Sequence, residues 1–373
     1  MRFHIGSHVR LSLVFCGYCR HYRSMKTSIQ QPEIIVLKGN DSKKYNKHYA
    51  KIMRGVVMNT ERFSKDSPAW EIRDAVNLAR IHAVYATRTG IECFTHESAM
   101  LIHGIPTWDN TPEIRAVKGN DRHIVDLKEV EICKHTVVSR KFLPSALMLS
   151  KKHVQNINGL PVESLVLTSL RIALSRPAID AIVAVSEILH EVTSFSRFHQ
   201  KDSRIAEKKV KDTLLTSLKN VRRKYPRLFN YKRAELIINT ADAGCENIAE
   251  AALLPFVCAT FPNQYVTQYK IHARGNDYYA DFAIPGLNLL IEFDGKGKMG
   301  SNEDEFLDAR QESIKRQQLL EMLGYSFIRV TWKELLSPRE LMHHLLSVAV
   351  IQRENFREES SALRTLLESE SVL

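Results

Sequence analysis

The last third of the chain shows the clearest pattern of apolar and polar positions. From about Gly244 onward, stretches with helical spacing and stretches with alternating apolar residues follow one another. They predict helices over 246–256 and 305–323, strands over 265–272, 278–284, 289–294 and 324–330, and a last helix that starts at Pro338. Elements in this order, over about 100 residues, predict one compact α/β unit.

The first part of the chain predicts a smaller, mainly helical unit. Its predicted elements are a basic helix over 42–52, a short strand beginning at Arg54-Gly-Val-Val57, helices over 69–87 and 95–103, and a strand over 113–117. Thr95 is placed to cap the third of these helices, with Glu97 in its first turn, and Gly104 ends it. Three helices followed by a strand predict a winged-helix domain.

The middle of the chain has a mixed pattern. Alternation over 123–138 predicts strands, and 160–189 predicts two helices separated at Arg176-Pro177 because proline stops the first. Segment 197–235 holds 13 Lys/Arg against 4 Asp/Glu and predicts an amphipathic helix with a cationic outer face. That face is either simply solvated or contacts phosphates, and the pattern leaves both open.

The 373 residues predict more than one domain, in an α+β multidomain fold. Its expected parts are a winged helix, a mixed middle region and a C-terminal α/β core. The expected segments are a basic start that is disordered or wrongly assigned (1–37), the winged-helix domain (38–117), the middle region (118–240), the α/β domain (241–350) and a polar tail (351–373).

The charge of the chain points to a polyanionic partner. The net charge is +11 and the pI is near 9.3, which fits nucleic acid or an anionic membrane surface, although a solvated basic surface without a partner is the alternative. No apolar run approaches the ~20 residues that span a bilayer. Six scattered cysteines, with Cys16 and Cys19 as the one C-x-x-C pair, predict reduced thiols in a cytoplasmic protein and no zinc site.

Acidic residues lie on two neighbouring predicted strands. Pro285-Gly-Leu-Asn288 has the composition of a four-residue turn, so we expect Ile284 to pair with Leu289 and Asp281 to face Glu292. Opposed carboxylates on neighbouring strands repel, and a divalent cation such as Mg²⁺ or Mn²⁺ removes that penalty. We expect Ala280, Phe282 and Ile284 to share the opposite face. The alternative is that these acids lie on a solvated sheet face.

Glycines and lysines follow the second acidic strand. In Asp294-Gly-Lys-Gly-Lys298 the glycines let the backbone bend, so that Lys298 or Lys296 can return to the carboxylates. A lysine placed there can orient water and stabilise charge that develops on a scissile phosphate.

Together these residues resemble the very-short-patch-repair-like branch of the PD-(D/E)xK nucleases, whose mark is D…E-x-D-G-x-x-(K/H). The resemblance covers about 244–345 and implies that the α/β domain over 241–350 is a nuclease-like domain with a restriction-endonuclease-like core. Asp294 stands where many members of the wider superfamily have lysine. Its matching residues are Asp281, Glu292-Phe-Asp294-Gly-Lys-Gly-Lys298, Glu246, Gln268, Arg316, Leu320-Glu-Met-Leu-Gly-Tyr325 and Phe327-Ile-Arg-Val-Thr-Trp332.

Segment 38–190 resembles the winged-helix antitoxin domain of AbiEi type. The residues that carry this resemblance are Arg54-Gly-Val-Val57, Thr95 to Trp108, Gly159-Leu-Pro-Val162 and Thr168-Ser-Leu-Arg171. We interpret His96 and His103 as cap and packing residues and not as metal ligands.

The residues and the resemblance imply a metal-dependent endonuclease that hydrolyses phosphodiester bonds in DNA, with the winged helix aiding DNA binding. The implied roles are catalytic for Glu246, Gln268, Asp281, Glu292, Asp294 and Lys298, metal-binding for Asp281, Glu292 and the Phe293 carbonyl, and substrate-binding for Lys296, Lys298 and Arg316. A catalytically inactive DNA-binding regulator and an antitoxin-like protein that grips a toxin are the alternatives. The expected partner is DNA and not a membrane, and a homodimer stays open.

Overall fold

The computed structural model describes residues 31–37, 48–119, 123–294, 303–352, 361–370 and 372, which form a mixed α+β fold. The strands are β1 Ile34–Val36, β2 Tyr49–Met53, β3 Val56–Asn59, β4 Cys93–Phe94, β5 Ile114–Val117, β6 Val125–Leu127, β7 Val130–Ile132, β8 His135–Val137, β9 Arg140–Ser145, β10 Val154–Ile157, β11 Leu160–Glu163, β12 Val266–Ala273, β13 Asn276–Ile284, β14 Leu289–Phe293 and β15 Ser326–Val330. The helices are α1 Ala69–Thr87, α2 His96–Ile102, α3 Leu165–Ser175, α4 Ala178–Thr193, α5 Gln200–Lys224, α6 Tyr231–Thr240, α7 Ile248–Thr260, α8 Glu303–Met322, α9 Trp332–Leu335, α10 Pro338–Gln352 and α11 Ala362–Ser369.

A three-stranded antiparallel sheet, in the order β1-β3-β2, corrects the helix predicted over 42–52. Residues 42–47 lie outside the described residues, and Tyr49–Met53 is a strand. Met53 pairs with Val56 across a two-residue turn in which Gly55 has a φ of +77°, a conformation open to glycine. The pairing buries Ile52 and Met53, so the hairpin overrides the helix-compatible composition.

The second sheet has six strands in the order β10-β11-β4-β5-β9-β6. It contains strands from both sides of the expected boundary between 117 and 118. The segment 160–163, predicted as the start of a helix, is strand β11, and it follows an Asn158-Gly159 turn in which both residues have positive φ. Helix α3 then begins at Leu165, and α4 follows Arg176-Pro177 as predicted.

Thr95 lies at the predicted N-cap position of α2 but does not make the expected hydrogen bond. Thr95 occupies the N-cap position, but its hydroxyl lies 3.0 Å from Nδ1 of His96 and makes no cap hydrogen bond to the helix backbone. The carboxylate of Glu97 pairs with Arg176, whose Nε lies 2.5 Å away. His96 and His103 are held in hydrogen bonds, to Ser175 and to the Glu163 carbonyl, as packing residues.

The third large sheet belongs to the C-terminal unit and has the order β12-β13-β14-β15. Its first three strands are antiparallel, and β15 runs parallel to β14. Helix α7, apolar on every side, lies in the core against one face of the sheet, where Phe282, Ile291 and Val330 pack. Leu320 of α8 packs with Leu290 on the other face.

One hydrophobic core joins the middle helices to the C-terminal unit. It runs from Met100 to Leu367 and therefore crosses the boundary that we expected between 240 and 241. The expected polar tail contains helix α11, whose Leu363 and Leu367 are buried in that core. Among the described helices, none is both long and apolar enough to cross a membrane.

Candidate functional site

The hairpin β13–β14 brings the two predicted acids close together. Ile284 pairs with Leu289 as predicted, across the turn at 285–288, and Phe282 pairs with Ile291 in the last pair of the ladder. Asp281 and Glu292 lie one residue beyond that pair, near enough for the charge of Asp281 to act on Glu292. The predicted pairing of Ile284 with Leu289 is therefore confirmed, and the direct opposition of the two acids stays a prediction.

Asp281 is tied to the neighbouring strand through its side chain. Its Oδ2 accepts a hydrogen bond of 2.9 Å from the backbone N–H of Phe293. This bond lies where the regular ladder of the two strands ends, after Phe282 and Ile291. The carboxylate is consequently held beside Glu292 and not swung out into solvent.

Glu292 is a buried carboxylate with two arginine neighbours. It is 8% exposed, and its Oε1 lies 2.5 Å from Nη2 of Arg316 while Oε2 lies 3.8 Å from Nη2 of Arg329. Burial raises the pKa of Glu292, the two arginines oppose that rise, and the negative charge of Asp281 adds to it. Burial, with the charge of Asp281 added to it, therefore outweighs the two arginines and keeps the pKa of Glu292 above its usual value.

Arg316 was predicted to bind substrate, and in the structure it contacts two groups of the candidate site, the Glu292 carboxylate and the Tyr279 carbonyl. From helix α8 its Nη2 donates to Glu292 and also to the carbonyl of Tyr279, at 2.7 Å. The guanidinium therefore lies between the carboxylate and the strand that carries Asp281. A role with substrate would require Arg316 to exchange at least one of these partners.

Within α7, Glu250 is the glutamate that contacts a predicted site residue, Gln268. The helix begins at Ile248, so Glu246 lies before it, where Nη1 of Arg197 is 3.2 Å from its Oε2. Glu250 is 2% exposed, and its Oε2 accepts a 3.2 Å hydrogen bond from Nε2 of Gln268. An Asn247-x-x-Glu250 pattern, the usual sign of a capped helix start, was the signal that could have identified it.

Gln268 is strained and buried beside Asp281. It is 1% exposed and has a φ of +50°, which a residue with a side chain rarely adopts. Thr267 pairs with Phe282 and Tyr269 with Ala280, so Gln268 lies level with Asp281 in the register. Its Oε1 is buried and has no hydrogen-bond partner among the described residues.

The prediction that Ala280, Phe282 and Ile284 share one face of β13 is wrong. Ala280 packs in the cluster with Ala283 and Leu290, whereas Phe282 and Ile284 pack in the large core on the other face. The alternation of β13 therefore reverses at Asp281, level with the strained Gln268. Backbone strain at a candidate site persists only where the surrounding structure holds it.

The other predicted site residues are Phe293, Asp294, Lys296 and Lys298. The backbone N–H of Asp294 donates to the Val330 carbonyl at 2.8 Å, and the Phe293 ring packs edge-on to Trp332. Lys296 and Lys298 lie outside the described residues.

The side chains near Asp281 and Glu292 offer oxygen donors for a metal ion. Within the described ranges, no group of three or more His, Cys, Asp or Glu side chains converges so as to hold a metal ion. Two neighbouring carboxylates, Asp281 and Glu292, are the available hard donors, and the unpartnered Gln268 Oε1 is a further oxygen buried beside them. Oxygen donors of this kind fit Mg²⁺ or Mn²⁺, which take one or two carboxylates and water.

Comparisons with known proteins add no identification. Neither protein-family profiles, nor curated proteins, nor solved structures give a match to this chain.

Proposed function

We propose that the protein is a metal-dependent endonuclease that hydrolyses phosphodiester bonds in DNA. The observation that carries the proposal is that Asp281, bound to the Phe293 N–H, lies close to the buried Glu292, next to a strained and buried Gln268. Paired carboxylates at the end of a hairpin are costly unless a cation or a proton compensates them. The resemblance to PD-(D/E)xK nucleases supports the same activity.

In this proposal, Asp281 and Glu292 hold Mg²⁺ or Mn²⁺ by carboxylate oxygens. Such an ion supplies charge stabilisation and activation of water for attack on a phosphodiester. Gln268, held by Glu250, orients a ligand or a water through its free Oε1. Lys298, with Lys296 as a substitute, is proposed to face the scissile phosphate.

The N-terminal part, residues 38–117, is proposed to aid DNA binding. Of the three helices predicted there for a winged helix, the described residues contain two, α1 and α2, because Tyr49–Met53 is strand β2. The excess of positive charge on the chain, +11, favours this partner because cationic side chains neutralise phosphates.

One observation favours a second candidate, a DNA-binding regulator without catalysis. Glu292 already has the guanidinium groups of Arg316 and Arg329 as counter-charges, so its charge is compensated without a metal. In such a protein Mg²⁺ would bind no better to the wild type than to a variant that lacks one acid. Calorimetric titration of Mg²⁺ therefore distinguishes the two functions.

The test of the enzyme proposal uses the purified full chain with labelled single- and double-stranded DNA. Cleavage is expected with Mg²⁺ or Mn²⁺ and not with EDTA. Asp281→Asn is expected to lower the rate at least about 100-fold, equivalent to about 2.7 kcal/mol of barrier. Asp277→Asn is the matched control, because Asp277 lies on the same strand and pairs with Lys270 at the exposed end of the hairpin. Equal activity of the Asp281 variant and the wild type would remove this site from consideration.

A further inference from the structure

Helix α5 carries a row of exposed cationic side chains beside the candidate site. Its exposed Lys/Arg side chains number seven, against two exposed acids, Asp202 and Asp212. At about 100° per residue, five of the seven fall within an arc of about 100°. These five, which we name the α5 ridge, are Lys201, Lys208, Lys219, Arg222 and Arg223.

The charges of the ridge residues are not neutralised by acids of the described part of the chain. None of the five is in a salt bridge there, and Asp212 is the single acid within the arc. Arg222 lies over the Tyr231 ring and Arg223 donates to the Asn220 side chain, contacts that leave both charges in place. The other side of the helix is buried through Leu214, Leu218 and Val221. The helix is thus fixed to the core, and its charge is directed outward.

The ridge starts at the candidate site. Immediately before α5, Arg197 contacts Glu246, and the Phe198 ring packs edge-on against Tyr279 with ring centroids 5.5 Å apart. In the first turn, the Gln200 amide donates to the Gln268 carbonyl. A polyanion lying along the ridge would therefore extend to the end of the hairpin that carries Asp281.

The length of the ridge matches about one turn of a DNA duplex. The ridge runs from Lys201 to Arg223 and is about 33 Å long at 1.5 Å per residue. With base pairs about 3.4 Å apart, that length corresponds to about 10 base pairs. We propose that the α5 ridge binds the phosphate backbone of duplex DNA and guides it to the candidate site. The choice of DNA as the partner rests on the proposed function.

The alternative polyanion, an anionic membrane surface, fits the helix less well. A helix that lies in a membrane interface needs an apolar face to insert. The apolar face of α5 is instead buried in the protein core, through Leu214, Leu218 and Val221.

The experiment compares two triple variants of the full chain, each of which loses three exposed cations. The ridge variant carries Lys208→Gln, Lys219→Gln and Arg223→Gln. The control carries Arg274→Gln, Lys333→Gln and Arg339→Gln, which are exposed residues away from α5. Glutamine keeps the helix propensity of lysine, so folding of the ridge helix is maintained.

Binding of a fluorescent 20-base-pair duplex is measured by anisotropy over a range of salt, in EDTA so that cleavage cannot contribute. The ridge variant is expected to bind at least about tenfold more weakly at 0.1 M salt, with a salt slope lower by about 2.7 for three lost phosphate contacts. The control is expected to bind as the wild type does.

Equal losses in both variants, or no loss in the ridge variant, would overturn the proposal. It would also be overturned if the ridge variant lost binding to phosphatidylserine vesicles while its binding to duplex DNA stayed unchanged. Because the assay is free of metal, its outcome is independent of catalysis. An Asp281→Asn protein with no cleavage activity still binds through the ridge, so the two proposals fail separately.

Discussion

Gly244 lies where the space for a side chain is already filled. A Cβ atom at this position would lie 2.6 Å from Nη2 of Arg204, 2.7 Å from Oγ1 of Thr267 and 2.9 Å from Oδ1 of Asp242. These three side chains bind one another, with Arg204 Nη1 to Asp242 at 2.7 Å and Thr267 Oγ1 to Asp242 at 3.1 Å. Thr267 is adjacent to the strained Gln268, so this network supports the candidate site.

Gly244→Ala is expected to destabilise the fold by about 2–4 kcal/mol. Overpacking costs about 1–3 kcal/mol. Displacement of Arg204 adds the loss of a charge-assisted hydrogen bond, worth about 1.5–3 kcal/mol. That second contribution is reduced because the Arg204 side chain is 34% exposed. Backbone strain does not contribute, since Gly244 has no positive φ.

The assay is equilibrium unfolding in urea, with Gly286→Ala as the matched control. Gly286 also has no positive φ, and a Cβ atom there would meet nothing within 4 Å. Its substitution is expected to be neutral or to stabilise by up to about 1 kcal/mol.

A double-mutant cycle with Arg204→Met then tests the cause of the destabilisation. If Arg204 is the obstacle, the cost of Gly244→Ala falls by at least about 1 kcal/mol in the Arg204→Met background. A Gly244→Ala protein as stable as the Gly286→Ala control would refute the reasoning, and so would strict additivity in the cycle.

Three further predictions concern the carboxylates and their partners. The pKa of Glu292 is raised in the folded state, so the contribution of Glu292 to stability falls as pH rises from about 4.5 through that raised pKa. In thermal unfolding from pH 4 to 8, Glu292→Gln should lack this decline. Parallel stability profiles for the variant and the wild type would contradict the prediction. Gln268→Leu removes one donor from the buried Glu250 and should cost about 1 kcal/mol in urea unfolding, whereas a more stable variant would show that the pair is not stabilising. Arg316→Gln should destabilise by about 1–3 kcal/mol, because among the described residues Arg329 is then the one arginine left near Glu292, and should raise Mg²⁺ affinity in calorimetry by about tenfold; unchanged affinity would show that Arg316 does not compete with a cation.

The register of the acidic hairpin was predictable from local features. A four-residue turn by composition and two alternating apolar strands fix which residues pair, since a slip of one residue would move every apolar side chain to the wrong face. That is why the pairing of Ile284 with Leu289, which puts Asp281 and Glu292 one residue beyond the last pair of the ladder, follows from the sequence.

Other features depended on contacts that no local pattern contains. The φ of +50° at Gln268 and the reversed face of Ala280 come from the way β12 meets β13. Segment 49–53 has a helix-compatible composition and becomes a strand because pairing with β3 buries it. By contrast, Asn158-Gly159 is a standard hairpin signal, so strand β11 was within reach of sequence reasoning.

Charge at the hairpin is what connects the two candidate functions. Asp281 and Glu292 contribute two negative charges when ionised, and Arg316 and Arg329 lie close enough to balance them, at 2.5 and 3.8 Å from Glu292. A divalent cation added to this arrangement would meet two positive groups, so it binds favourably only if Arg316 leaves Glu292. The Arg316 side chain is 29% exposed, which gives it room to turn toward solvent or toward a phosphate of bound DNA. In a nuclease, therefore, DNA that attracts Arg316 would free Glu292 for the metal. Bound DNA would then raise the affinity for the metal, and bound metal would raise the affinity for DNA. In a regulator, the arginine would stay on Glu292, and DNA would change the affinity for Mg²⁺ very little.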